Sequence, residues 1–251
     1  MKKLIYSIVS EDSNQEKLNC ILPEMKGIAG AKLISVSYKQ ISAVVSELEK
    51  SDYIVDQSNA LEYAGVIEKL ADQFTLLPMR YGSLLDSTES IMQLLERNYP
   101  EFRQNLLKVE HKCEFGLKIF GDLQKLKAEL TFEFEPVIAN STIPSTEIKN
   151  PVYLEYLNKK LKEHRFEESL LAYIDSVIAE LTVCLTRFNA VSKFRKMTTA
   201  ALVTDAVFLL DESKKAQLIQ AIEDIQDQYP SLNFILTGPW PPYSFVDVTL
   251  K

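Results

Sequence analysis

The order in which strand-type and helix-type patterning alternates is the feature that most limits how this chain can fold. From Cys113 the sequence runs through CEFGLKIF (Cys113 to Phe120), a β-rich stretch bounded by polar residues. A helical stripe follows, with Tyr153, Leu157 and Leu161 and, after a charged middle around Glu163 to Arg165, Leu170, Ile174, Val177, Ile178 and Leu181 on one face. NAVSKFRKM and AALVTDAVFLL are two further β-rich stretches; a helix with Leu218, Ile222 and Ile225 on one face comes next, and SLNFILTG closes the series. The order is β-α-β-β-α-β, the ferredoxin-like arrangement, in which an antiparallel sheet carries both helices on one face. It predicts an α+β C-terminal domain over residues 111–251 with an extended tail. Asn150 followed by Pro151 predicts an N-cap and first helical position. The helix then either runs to about Thr186 or breaks near His164, and Ser213 is the expected cap of the last helix.

The first half has the same order in weaker form. Lys3 to Val9 reads as a strand, Lys32 to Lys39 and Ile41 to Leu48 as two more joined tightly at Gln40, and the segment between the first two is weakly patterned. Ser58 to Gln73 has helical periodicity, with Ser58 or Asn59 as N-cap, and FTLLPM is a strand that Pro78 ends or places at a sheet edge. Residues 1–110 are therefore expected to form a modified ferredoxin-like α+β domain. Ser87 to Leu107 is expected to be a connecting helix interrupted at Pro100. Glu133 to Thr146, with two prolines and small polar residues, reads as an excursion inside the second domain.

Composition then removes several function classes. The chain has 251 residues, 46% of them hydrophobic, enough for one large core or two modest ones. A net charge of −7 and a pI near 5.1 leave no basic field to collect phosphates, which argues against nucleic acid and anionic membrane as partners. Cys20, Cys113 and Cys184 lie far apart, as suits reduced thiols in a cytosol. The apolar stretch of the N-terminus is cut short by Glu11 and Asp12, so it reads as a strand and not as an export signal, and no uninterrupted apolar run reaches the roughly 20 residues of a bilayer span. The expected location is the cytoplasm.

The chemistry-bearing patterns are missing. There is no Gly-rich phosphate loop and no GxSxG elbow, and the chain has only seven glycines and two histidines. His111 and His164 read as solvated or capping residues, and EHRFEE (Glu163 to Glu168) as a helix face laced with local ion pairs. The expectation is no catalytic residue, no metal and no cofactor.

Two segments exceed what a fold alone requires. LLPMRYGSLL (Leu76 to Leu85) ends a strand with proline and presents Arg80 and Tyr81 at a turn containing a glycine, and these two residue types are favoured as interface anchors. LTGPWPPYSFV (Leu236 to Val246) holds the only tryptophan and three of the ten prolines. There Pro239, Pro241 and Pro242 stiffen the chain around Trp240, Tyr243 and Phe245, which lowers the entropy cost of docking on the protein's own sheet or on a partner. Docking on the protein itself is the preferred reading, and the tail is a candidate structural strap.

These segments, with CEFGLKIF between them, resemble the GvpL/GvpF family of gas vesicle proteins. The family carries a similar LP-x-R-[FY]-G turn, an E-[WF]-G-x-K strand and a GPWPPYSFV-like terminus. KKLIYSIV and GIAGAKLISVSYKQISAVVSEL (Gly27 to Leu48) are similar as well, so the resemblance covers nearly the whole chain and leans to the F-type branch. Phe115 stands where tryptophan is common and Ser7 where glycine is frequent, and both substitutions suit strand packing. The resemblance implies a non-enzymatic accessory protein of gas vesicle assembly. Its implied partner is the small hydrophobic shell subunit of GvpA type, with other accessory proteins beside it. A ligand-sensing or enzymatic pair of ferredoxin-like domains is the alternative, because one architecture serves many functions. RNA binding through the sheet is third, disfavoured by charge and by the missing aromatic pattern.

Overall fold

The computed structural model describes residues 2–11, 15–49, 56–131, 151–196 and 202–246. The expected excursion at Glu133 to Thr146 and the Asn150 cap lie outside the described residues. The chain forms two compact units. One comprises Met1–Phe115, Leu209–Glu212 and Thr237–Lys251, the other Gly116–Phe208 and Ser213–Leu236.

In the first unit, β1 (Lys2–Ser10) is central, and from Leu4 to Val9 both its faces are apolar apart from Ser7. Leu4 to Val9 are buried without a break, and so are Ile41 to Ser46 of β3 (Ile41–Leu48). Continuous burial of this kind marks strands covered on both sides. With β2 (Leu33–Tyr38) and β4 (Leu76–Pro78) the sheet order is β2-β3-β1-β4, and the short β5 (Leu84–Leu85) also pairs with β1. All these pairings are antiparallel, with Ile5 opposite Val45 and Val9 opposite Ser42, and the register shifts between Ile5 and Ser7. Helix α2 (Gln57–Ala71) sets Tyr63, Val66, Ile67 and Leu70 against Leu4, Tyr6, Val9 and Val44. The stretch without a pattern before β2 folds as α1 (Gln15–Ile21) and two 3-10 turns, which add Leu18, Leu22 and Ile28 to the same cluster. Each such side chain, fully buried, stabilises by about 1.5–3 kcal/mol.

Where one interrupted connecting helix was expected, two helices form: α3 (Thr88–Arg97) and α4 (Tyr99–Val109). They meet at Asn98, which is buried and whose side-chain amide donates to the Leu94 carbonyl at 2.8 Å. Pro100 falls in the first turn of α4, where its missing N–H has no helical partner to lose. Ile91, Leu95, Phe102 and Leu106 of these helices are buried outside the α2 cluster and supply the second covering of the sheet. Ser7 and Phe115, the two departures from the family pattern, are both buried.

The remaining strands, β6 (Lys112–Gly121), β7 (Val191–Lys196), β8 (Leu202–Asp211) and β9 (Leu232–Trp240), take the order β7-β8-β6-β9 in a second antiparallel sheet. After α5 (Leu123–Thr131), helix α6 (Pro151–Arg187) runs for 37 residues, roughly 55 Å at about 1.5 Å per residue, with no break at His164. It contains no glycine and no proline after Pro151, so nothing in it interrupts the hydrogen-bond ladder. Ile174, Val177, Leu181, Cys184 and Leu185 form its buried stripe, and it packs against α5, α7 (Lys215–Gln228) and β7. Glu155–Arg187 is long enough to reach across a membrane and holds an 18-residue stretch apolar enough to do so. Asp175 and Glu180 interrupt the helix's apolar face, and 28% of that stretch is buried in the protein.

Two caps differ from expectation. Asp56, not Ser58 or Asn59, caps α2: its carboxylate accepts the Asn59 N–H at 2.8 Å, and the cap lies two residues before Ser58. Ser213 lies in a 3-10 turn (Glu212–Lys214), and the N-cap of α7 is Lys214.

Candidate functional site

The turn after β4 is built by backbone geometry and held from beneath by aromatic packing. The Ser83 N–H donates to the Arg80 carbonyl at 3.0 Å and the Ser83 hydroxyl to the same oxygen at 2.7 Å. Gly82 has φ +93°, the left-handed value that position i+2 of a type II turn requires. On one side the Met79 N–H donates to the Tyr6 carbonyl at 2.9 Å, and on the other the Ile5 N–H donates to the Ser83 carbonyl at 2.9 Å. The Tyr63 hydroxyl lies 2.9 Å from both the Ile5 and the Met79 carbonyls. Its ring stacks on Tyr6, centroids 4.9 Å apart, and meets Tyr81 at 5.1 Å. Burial, ahead of its other influences, raises the Tyr6 phenol pKa, and its oxygen accepts the Ile28 N–H at 3.0 Å. Tyr81 is thus anchored to the core through Tyr63. Arg80 is exposed and makes no ion pair among the described residues.

The C-terminal strap is fastened by residues that sequence reasoning did not single out. Glu114 of β6 is 5% exposed, and its carboxylate accepts the Ser244 N–H at 2.7 Å and the Ser244 hydroxyl at 2.6 Å. Lys108 of α4 donates to the Phe245 carbonyl at 3.1 Å. Gly238 has φ +114°, and a Cβ there would lie 2.8 Å from the Glu114 carbonyl oxygen, so the close approach of strap and strand needs glycine. Beyond the cis Gly238–Pro239 bond the chain turns tightly, with the Tyr243 N–H donating to the Pro241 carbonyl at 2.7 Å. The side chains divide in their roles. Pro241, Pro242 and Phe245 are buried, Pro239 is exposed, and Trp240 and Tyr243 retain 42% and 43% of their exposure. The Tyr243 phenol is nevertheless pushed up to about 12, by burial around its hydroxyl and then by the Glu68 and Glu114 carboxylates. The available signal was a glutamate in the middle of an apolar strand, which demands a partner wherever it is buried.

Beside the strap, within the same unit, lies an open cleft of about 610 Å³. The C-terminal end of α2, the residues around His111 and the segment Pro239 to Pro242 line it, and Glu68, Asp72 and Glu212 stand on its rim.

Of the two histidines, His111 lies in the cleft lining and His164 lies apart from it. His111 is exposed at φ +55°, 3.9 Å from Glu110, and His164 sits 3.6 Å from Glu168 on the exposed face of α6. Lys160 pairs with Glu163 at 3.0 Å on the same face. Among the described residues no three His, Cys, Asp or Glu side chains converge to hold a metal, and all three cysteines are free thiols.

Two antiparallel sheets with helices, a buried-tyrosine turn and a C-terminal strap closed by a buried glutamate define an α+β protein whose distinguishing segments are the turn and the strap. The model of the family described as gas vesicle synthesis protein GvpL/GvpF matches residues 2–247, and the chain belongs to that family. Gas vesicle protein F1 of Halobacterium salinarum is 24% identical over 229 residues, 90% of this chain and 86% of that protein. Gas vesicle protein L of a Streptomyces species is 22% identical, over 81% of this chain and 73% of its own. Among solved structures, GvpF of Anabaena sp. PCC7120 superposes with a TM-score of 0.75 at 19% identity, covering 99% of this chain and 97% of its own. GvpF of Microcystis aeruginosa gives 0.74 at 19% identity, covering 98% and 99%.

Proposed function

We propose that this chain is a non-enzymatic accessory protein of gas vesicle formation that binds the hydrophobic shell subunit, of GvpA type, and assists its nucleation or incorporation. Family membership over almost the full length supports the role. The observation that carries the binding reading is Arg80, exposed and without an ion pair among the described residues, on a turn whose neighbour Tyr81 is packed on the core through Tyr63. A subunit made to line gas exposes apolar surface and aggregates in water before it polymerises. An acidic protein that covers that surface, or its strand edge, keeps it competent for assembly. The site of action is the cytoplasm, in association with the growing vesicle. The order β2-β3-β1-β4 and its counterpart β7-β8-β6-β9 both support a ferredoxin-like reading of the two sheets.

The test is coexpression with the shell subunit in a host that makes no gas vesicles, followed by purification through this chain. A soluble complex is the expected result. Shell subunit that stays wholly insoluble while this chain purifies alone would overturn direct binding.

A further inference from the structure

We infer that the cleft beside the C-terminal strap is a docking groove for an extended protein segment that sets a lysine or arginine next to an apolar side chain. Its volume of about 610 Å³ suits a few side chains and excludes a folded domain. One wall is apolar and rigid. The exposed Pro239 and Trp240 stand there on a strap fixed by the Glu114–Ser244 hydrogen bonds and by the close approach at Gly238, with Pro241 and Phe74 buried behind them and the Lys17 ammonium 5.1 Å from the Phe74 ring centroid. Trp240 is held at 42% exposure by this fixed backbone, so a large ring is offered to solvent without the entropy cost of ordering it on binding.

The other walls are acidic. Glu68, Asp72 and Glu212 are exposed and have no ion pair among the described residues, and Glu110 meets only the exposed His111 at 3.9 Å. Lys112, also in the cleft lining, is turned to the end of α4, where its Nζ donates to the Lys108 carbonyl at 2.9 Å. Negative potential therefore faces an indole ring, and both attract the same ligand group. A cation is stabilised over the ring face and by the carboxylates together, while anionic lipid and nucleic acid are repelled. The apolar neighbour of that cation packs against the exposed Pro239 beside Trp240. This groove does not contain Arg80 or Tyr81, so it stands independently of the shell-subunit reading.

Trp240 is the only tryptophan of the chain and reports on the groove directly. The full-length protein would be titrated with a short peptide of alternating leucine and lysine and with its leucine–glutamate counterpart, following tryptophan emission and, in parallel, heat of binding. The lysine peptide is expected to shift the emission saturably, less so at high salt, and the glutamate peptide to leave it unchanged. Glu68→Gln combined with Glu212→Gln should weaken binding by about tenfold, while neutralising the exposed Glu16 and Glu24 elsewhere in the same unit leaves it intact. Equal binding of both peptides, or an unchanged affinity in the groove variant, overturns the inference. Neither outcome bears on whether the shell subunit co-purifies.

Discussion

Ser244 fastens the strap alongside the rings that make its sequence conspicuous, because its N–H and hydroxyl are both given to a carboxylate that is almost out of water. Ser244→Ala removes one charge-assisted hydrogen bond and leaves Glu114 less satisfied, which should cost about 1.5–3 kcal/mol in urea denaturation. A loss below about 0.5 kcal/mol, the scale of a neutral surface change, would show that the hydroxyl bond is not holding the strap. Trp240, by contrast, stays 42% exposed, so its truncation should cost less than the about 3–5 kcal/mol of a fully buried ring. Two phenols carry a pH signature. Burial, then neighbouring Glu129 and Tyr229, push the Tyr173 phenol up to about 12, as burial and two carboxylates do for Tyr243. A phenol whose folded pKa exceeds its unfolded value of about 10 favours the fold only while protonated. That contribution is complete below about pH 10 and lost as pH rises towards 12. Ultraviolet titration should show tyrosines that ionise late or only with unfolding, and uniform ionisation of all tyrosines near pH 10 would contradict the assignment.

At the scale of elements, local signals were read well where they were local. Helix α6 was legible as a long stripe, and its unbroken run follows from the lack of glycine and proline inside it. The break between α3 and α4 was legible from Pro100, although the residue that makes the junction is Asn98, buried and bonded back to Leu94. The α2 cap was missed by two residues because periodicity marks where the apolar stripe starts, while a cap belongs to the polar residue before it. Asp56 satisfies the Asn59 N–H and places a negative charge at the positive end of the helix. Asp56→Ala should lower stability by about 1 kcal/mol, read as a lowered thermal midpoint. An unchanged midpoint would mean that solvent caps the helix equally well.

Across the whole molecule, the succession of strands and helices was visible because each is decided within a few residues, whereas the fastening of the strap was not. Glu114 and Ser244 are 130 positions apart, and nothing in either neighbourhood names the other. The Arg80 turn was conspicuous in sequence, but its support was hidden: Tyr6, Tyr63 and Tyr81 come from three separate segments and meet only in the folded core. In the proposed function this scaffold presents Arg80 to a hydrophobic shell subunit. The most direct test of that contact is the amount of shell subunit retained by purified wild type and by Arg80→Glu, at matched thermal midpoints. Because Arg80 is exposed and outside the core, the variant should fold as the wild type does and retain several-fold less subunit. Equal retention by a folded variant would contradict the claim and place the contact elsewhere on the chain.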